Sequence, residues 1–364
     1  MNTGDIKRMF RRDLAALKAY QPIIPPDVLS EQVGVPESQI IKLDGNENPY
    51  GCSLLVRRAL GNYPHYHIYP DPEQHEVRRA LSEYAGVDAR HIVAGAGSDE
   101  LIDLILRLFI EPGDTVVNCP PTFGMYPFCT DICGGRTADI PRDGEFNLDI
   151  AAIKAIPDAK VIFIASPNNP TGNLTPPNDI LELVKYGRIV VVDEAYYEFS
   201  RTTLAGQVPL HENLIVLRSF SKWAGLAGLR LGYGIFPPFI AGQIMKIKQP
   251  YNVNLAAQVA LLESLADIQC LQDYVGRIIS ERERLYKQLQ GLGFLHPYPS
   301  QANFILCRVV EGDARRMHQQ LRQRGIFVRH FDTPLLGDAL RISVGKPEHT
   351  DALIRALQEI HSSR

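Results

Sequence analysis

The chain has little net charge, no long apolar run and no cysteine framework, and each lack removes a class of function. Its 38 Lys and Arg stand against 41 Asp and Glu, a formal charge of −3. That balance gives no reason to expect nucleic acid or an anionic membrane as a partner. The longest apolar run, Leu101 to Ile110, is interrupted by Asp103 and Arg107 and is too short and too charged to cross a bilayer. The opening Met-Asn-Thr-Gly-Asp-Ile-Lys-Arg lacks the apolar core of a signal peptide. Six cysteines in 364 residues are no disulfide scaffold. Cys129 and Cys133 have no matching second pair, and His65 and His67 have no third ligand nearby, so no metal is expected. We expect a cytoplasmic protein with reduced thiols. Internal repeats and low-complexity segments are absent too. With 45% hydrophobic and 22% charged residues, the remainder is an ordinary globular mix, long enough for two domains.

What is there centres on residues 218 to 234, Arg-Ser-Phe-Ser-Lys-Trp-Ala-Gly-Leu-Ala-Gly-Leu-Arg-Leu-Gly-Tyr-Gly. An amine that attacks a carbonyl must be unprotonated, and a free lysine at pH 7 is not. Burial and a neighbouring cation would bring the pKa of Lys222 into range. Arg230, eight residues further on, suits a phosphate, and Ser219 and Ser221 can donate to the same group. A lysine for an aldehyde beside a site for a phosphate is what pyridoxal 5′-phosphate requires. The competing reading is a basic loop ending in a glycine-rich turn.

Residues 1 to 20 read as an amphipathic helix, with Met9, Phe10, Leu14 and Leu17 on one face. Pro22, Pro25 and Pro26 end it, so residues 21 to 40 should be irregular. Tyr20 sits at that junction, by spacing a packing aromatic. Ile41 to Gly51 joins a short strand to a polar turn carrying Asn48. Residues 63 to 72, with three tyrosines and three prolines, make a rigid aromatic loop suited to a partner surface. Residues 73 to 85 read as a helix.

His91 to Leu104 is a strand, a glycine turn and a helix that starts near Ser98, with Asp99 and Glu100 in its first turn. Free backbone N–H groups at such a start bind phosphate. The pattern is not GxGxxG, so a dinucleotide is not favoured. Strands follow at 115–119, 160–165, 188–193, 214–217 and 231–236, with a helix beginning at 123–128. Alternation over 90 to 236 argues α/β architecture with a doubly wound, mostly parallel sheet. Asn169, Asp193 and Lys222 each follow a strand end, where such sheets bind ligands. Asp193 can keep a pyridine nitrogen protonated, which makes the ring a better electron sink. Tyr196 and Asn169 can hydrogen-bond the ring's 3-oxygen, and Phe123 can stack on its face. The alternatives are a helix N-cap for Asp193 and core packing for Phe123. Long helices at 253–292 lead to strands at 303–308, 326–330 and 340–344 and helices at 312–324 and 348–361, a smaller α/β domain. Arg329 and Arg341 lie on its strands. Surface charge is the competing role for each.

Five stretches carry a resemblance to a known family: Leu43 to Gly51, Ser166 to Gly172, Asp193 to Phe199, Ser219 to Lys222 with Gly228-Leu-Arg230, and Leu340 to Gly345. In that order they resemble the fold-type I pyridoxal-phosphate enzymes and, within them, the histidinol-phosphate aminotransferase family. The resemblance implies an arm at 1–42 that packs with the small domain, a large cofactor-binding domain at 43–252 and a small domain at 253–364. It implies Lys222 as the lysine that bonds the cofactor, Asp193 on the ring nitrogen, and Asn169 and Tyr196 on the 3-oxygen. The phosphate would lie on Gly97, Ser98, Asp99, Ser219, Ser221 and Arg230, with Tyr69 reaching in from the partner of a homodimer. Tyr20, Asn48, Arg329 and Arg341 would contact substrate. The implied reaction moves an amino group between histidinol phosphate and 2-oxoglutarate, giving imidazole acetol phosphate and glutamate, with ping-pong kinetics. The family often has tyrosine where Phe123 stands, and residues 331 to 339 match it loosely. The same scaffold also serves aromatic aminotransferases, decarboxylases of phosphorylated amino acids and non-catalytic regulatory domains.

Overall fold

A computed structural model of the chain describes residues 6 to 363. The first strand, β1 (Ile41–Leu43), belongs to the smaller of two sheets. The larger sheet holds β2 (Ile92–Gly95), β3 (Thr115–Asn118), β4 (Arg136–Asp139), β5 (Ala159–Ala165), β6 (Ile189–Asp193), β7 (Leu214–Ser219) and β8 (Gly232–Ile235). Their order is β2-β8-β7-β6-β5-β3-β4. Strands β7 to β4 run parallel, and β8 is antiparallel to both of its neighbours. The chain is thus the α/β, mostly parallel type.

Alternation explains why the central strands read as unbroken apolar runs. Val190, Val192, Leu214 and Val216 face one core, and Val191, Ile215, Leu217 and Phe163 face another. Side chains alternate across a sheet, so a strand covered by helices on both faces needs apolar residues at every position. Each such side chain contributes about 1.5–3 kcal/mol by burial.

The small sheet, of order β1-β11-β12-β10-β9, adds β9 (Leu295–Pro297), β10 (Phe304–Val309), β11 (Ile326–His330) and β12 (Ala339–Ser343). The helix Ile268–Gly291 leads into it and buries Leu271, Val275, Ile278, Leu285 and Leu289, a stripe at helical spacing. One core runs from the large sheet through Phe304 and Leu340 to the C-terminal helix.

The N-terminal part departs from the sequence expectation twice. Residues 1 to 5 lie outside the described ones. Over 6 to 20 the expected continuous helix is broken: Ile6 and Lys7 are helical, residues 8 to 10 turn, and Arg12–Ala15 forms a four-residue helix, while Met9 and Phe10 are 73% and 57% exposed. Among the described residues Leu14 and Leu17 are half-buried while Met9 and Phe10 stay open, and an isolated helix this short is marginal in water. The supposed irregular stretch 21–40 contains a helix, Pro26–Val33. Pro26 occupies its first position, where a missing N–H costs nothing, and Gly34 closes it at φ 70°. The prolines start that helix and do not prevent it.

Candidate active site

Between the carboxyl ends of β5 to β7 and the small sheet lies a cleft of about 640 Å³. Asp193 ends β6 and Ser219 ends β7. Lys222 follows three residues later, and its Nζ donates to the Gly45 carbonyl at 3.0 Å. Burial, then repulsion from Arg341, lowers the Lys222 pKa to about 8, against pulls from Glu47 and Asp99. About a tenth of this amine is therefore neutral at pH 7, far more than of a free lysine.

Asp193 is buried. Its carboxylate accepts from the Tyr126 hydroxyl at 2.8 Å and from the Ala195 amide at 3.0 Å. Burial outweighs those two bonds and raises its pKa to about 6. No cation is paired with it among the described residues. A buried carboxylate with two donors and no countercharge suits a positively charged ring nitrogen.

At one end of the cleft a helix start meets polar side chains. Gly97, at φ 83°, begins the helix Ser98–Phe109 without a side-chain cap. A Cβ at Gly97 would lie 2.6 Å from Arg230 Nη2, so only glycine lets the guanidinium sit over the helix start. Arg230 pairs with Asp99 at 2.7 Å. Ser98, Asp99, Ser219, Ser221 and Arg230 all line this end. The Ser219 hydroxyl accepts from the Ser221 amide at 3.1 Å.

Two further donors line the cleft. Arg341 Nη1 donates to Asn169 Oδ1 at 2.7 Å, which leaves the Asn169 amide nitrogen for the cleft. Tyr196 accepts from Asn46 Nδ2 at 2.9 Å, and burial raises its pKa to about 12, so its phenol keeps its proton. Phe123 meets Tyr126 edge to face at 5.6 Å and lines the same wall.

On the opposite wall, Arg329 and Arg341 are directly paired across β11 and β12. Arg341 is buried, donates to the Asp44 carbonyl, and has a buried Nε without a partner. Arg329 donates to the Gln21 carbonyl at 3.1 Å. Tyr20 closes this corner from the arm, near Phe128 at a ring distance of 6.2 Å.

The class I and II aminotransferase model matches residues 38–357. Histidinol-phosphate aminotransferase of Dehalococcoides mccartyi is 49% identical, over 98% of this chain and 99% of its own. That of Roseiflexus castenholzii is 46% identical, again over 98% and 99%. The chain belongs to the histidinol-phosphate aminotransferase family. Histidinol-phosphate aminotransferase of Sinorhizobium meliloti, solved in complex with pyridoxal 5′-phosphate, superposes with a TM-score of 0.88 at 28% identity and 98% coverage of both chains.

Two of the substrate and cofactor residues named from sequence lie away from this chain's cleft. Asn48 is buried, donates to the Trp223 carbonyl at 2.7 Å and accepts from the Tyr50 amide at 2.9 Å. Its hydrogen bonds fasten the turn to the backbone beside Lys222, and the cleft is lined by Asn46 instead. Tyr69 is 77% exposed and stacks on Tyr251 at 4.4 Å. The sequence reading also missed Tyr126 and Asn46. Pro-Pro-Thr-Phe-Gly-Met-Tyr126 offered two aromatics, and only the one with a hydroxyl can reach a carboxylate.

Proposed function

We propose that this family member transfers an amino group between L-histidinol phosphate and 2-oxoglutarate, using pyridoxal 5′-phosphate. The observation that carries the reading is the pair Arg329 and Arg341, opposed on β11 and β12 across the cleft from Lys222. When bound, pyridoxal phosphate supplies an aldehyde that bonds an amine and a ring that draws electrons from the adjacent carbon. The residues present fit it. Gly97, Ser98, Asp99, Ser219, Ser221 and Arg230 would hold its phosphate, Asp193 its ring nitrogen, and Asn169 and Tyr196 its 3-oxygen. Lys222 Nζ takes the proton from the amino-bearing carbon of the donor and returns it as an acid. Arg329 and Arg341 bind the distal anion of either substrate, phosphate or carboxylate, and Tyr20 closes over it.

The test compares kcat/KM for histidinol phosphate, histidinol and phenylalanine on wild type and Arg329→Ala. Losing one charged contact should lower kcat/KM for histidinol phosphate by roughly 30- to 1,000-fold, and for phenylalanine far less. A wild type that prefers phenylalanine would be an aromatic aminotransferase. Release of carbon dioxide would make it a decarboxylase.

The reading includes the division at residues 42 and 252, a cytoplasmic location and a homodimer. Among the described residues no helix is long and apolar enough to cross a membrane. Ile68, Tyr69 and Tyr251 form an exposed apolar patch suited to a second copy, whose cleft Tyr69 would then complete. Mixing Lys222→Ala with Tyr69→Ala subunits should restore activity that neither variant has alone. Full activity from a monomer in ultracentrifugation would refute the shared site.

A further inference from the structure

Four hydrogen bonds link the small sheet to Tyr196, and their directions are fixed by chemistry. The Asn46 backbone N–H donates to Ser343 Oγ at 2.8 Å, and a backbone N–H can only donate. The Ser343 hydroxyl must then give its own hydrogen elsewhere, and it does so to Asn46 Oδ1 at 2.8 Å. That assigns the Asn46 amide: Nδ2 is the end that faces Tyr196, donating at 2.9 Å. The opposite orientation would present Ser343 with two donors and no acceptor. Asn303 Nδ2 holds the Asn46 carbonyl at 2.8 Å, which pins the turn from β10 as well. Asn46 is 2% exposed and sits at φ 53°, a left-handed conformation that Asn tolerates better than most residues.

We propose that Asn46 and Ser343 are positioning residues that make Tyr196 a donor into the cleft. With its oxygen already accepting from Asn46, the Tyr196 hydrogen points away from the turn. Ser343 lies two residues beyond Arg341 on β12, the strand that carries one of the anion-binding arginines. The orientation of Tyr196 therefore depends on the seating of the small sheet, and a substrate anion drawn onto Arg341 acts on the same strand. This rests on the pyridoxal-phosphate reading of the cleft.

The experiment titrates the visible absorption of protein reconstituted with pyridoxal phosphate, for wild type, Tyr196→Phe, Asn46→Asp and the double variant. A donor on the 3-oxygen favours its anionic form, so losing it should raise the absorption midpoint by about one pH unit or more. At position 46 a carboxylate only accepts, so it draws the Tyr196 hydrogen out of the cleft. Asn46→Asp should move the midpoint as Tyr196→Phe does, and add little to it in the double variant. Full additivity would reveal a plain charge effect and overturn the relay, as would an unmoved midpoint in Asn46→Asp. Ser343→Ala tests the same chain without a charge. It should shift the midpoint upward, with Ser343→Thr restoring it and no further shift in the Tyr196→Phe background. An unmoved midpoint in Ser343→Ala overturns the proposal even if Asn46→Asp does not fold. Wild type that takes up no pyridoxal phosphate at all would instead remove the reading of the cleft.

Discussion

Lys222→Ala should abolish transamination, by roughly 10⁵-fold or more in kcat, while the protein still takes up pyridoxal phosphate. The two halves of that expectation have separate physical origins. The Lys222 amine gives up its proton more readily than a free lysine: burial, then the Arg341 charge, hold its pKa at about 8. Among the described groups that line the cleft, it is the lysine. The phosphate cradle we propose from Gly97, Ser98, Ser219, Ser221 and Arg230 does not include it, so anion binding should survive the substitution. Borohydride treatment of loaded wild type should attach the cofactor to the peptide that holds Lys222, and labelling of another lysine would overturn the assignment. The rate of attachment to cofactor-free protein should climb with pH through a midpoint near 8, as the amine loses its proton. Arg341→Leu removes the larger of the two neighbouring charges that, with burial, depress the pKa, and should move that midpoint up. A midpoint unaffected by Arg341→Leu would remove Arg341 as a cause and leave burial and Lys42.

The sheet was legible in the sequence because its signal is local. Strands β5, β6 and β7 are apolar at nearly every position, and that pattern has few readings other than burial on both faces. The Lys222 stretch was legible for the same reason, since lysine, serines, glycines and arginine all fall within thirteen residues. What could not be read was decided by partners far along the chain. Asn46 and Asn48 are chemically alike and both stand in the Asn-Glu-Asn turn. Their roles diverge because one meets Tyr196, 150 residues away, and the other the Trp223 carbonyl, 175 residues away. Phe123 and Tyr126 divide in the same manner, through a hydroxyl that finds Asp193 across 67 residues. The N-terminal helix failed differently. Its periodicity was real, but periodicity forms a long helix only when there is a surface to bury the whole stripe, and among the described residues Leu14 and Leu17 are half-covered while Met9 and Phe10 stay exposed.

Asp193→Asn should slow proton abstraction by orders of magnitude and, at the same time, stabilise the cofactor-free protein above pH 6. The first effect follows from charge, because an amide cannot keep a ring nitrogen protonated as a carboxylate does. The second follows from the cost of the carboxylate itself. Burial raises the Asp193 pKa from its ordinary value near 4 to about 6, so the folded protein binds a proton more tightly than the unfolded chain. Stability from this group is complete below about pH 4 and is lost as pH rises through about 6. The difference is on the order of 2–3 kcal/mol, since the group is almost fully buried. The variant has no such proton to lose. Its amide fits the same space, accepting from the Ala195 amide while the Tyr126 hydroxyl turns to accept from its Nδ2. Urea unfolding of both cofactor-free proteins at pH 5 and pH 8 gives the comparison. Wild type should lose stability relative to Asp193→Asn between the two pH values, and saturation with pyridoxal phosphate should reverse the ranking, because the cofactor's ring nitrogen offers the charge that the carboxylate lacks. Parallel pH profiles for the two proteins would show that Asp193 titrates normally when buried. Near wild-type turnover in Asp193→Asn would remove it from the ring nitrogen altogether.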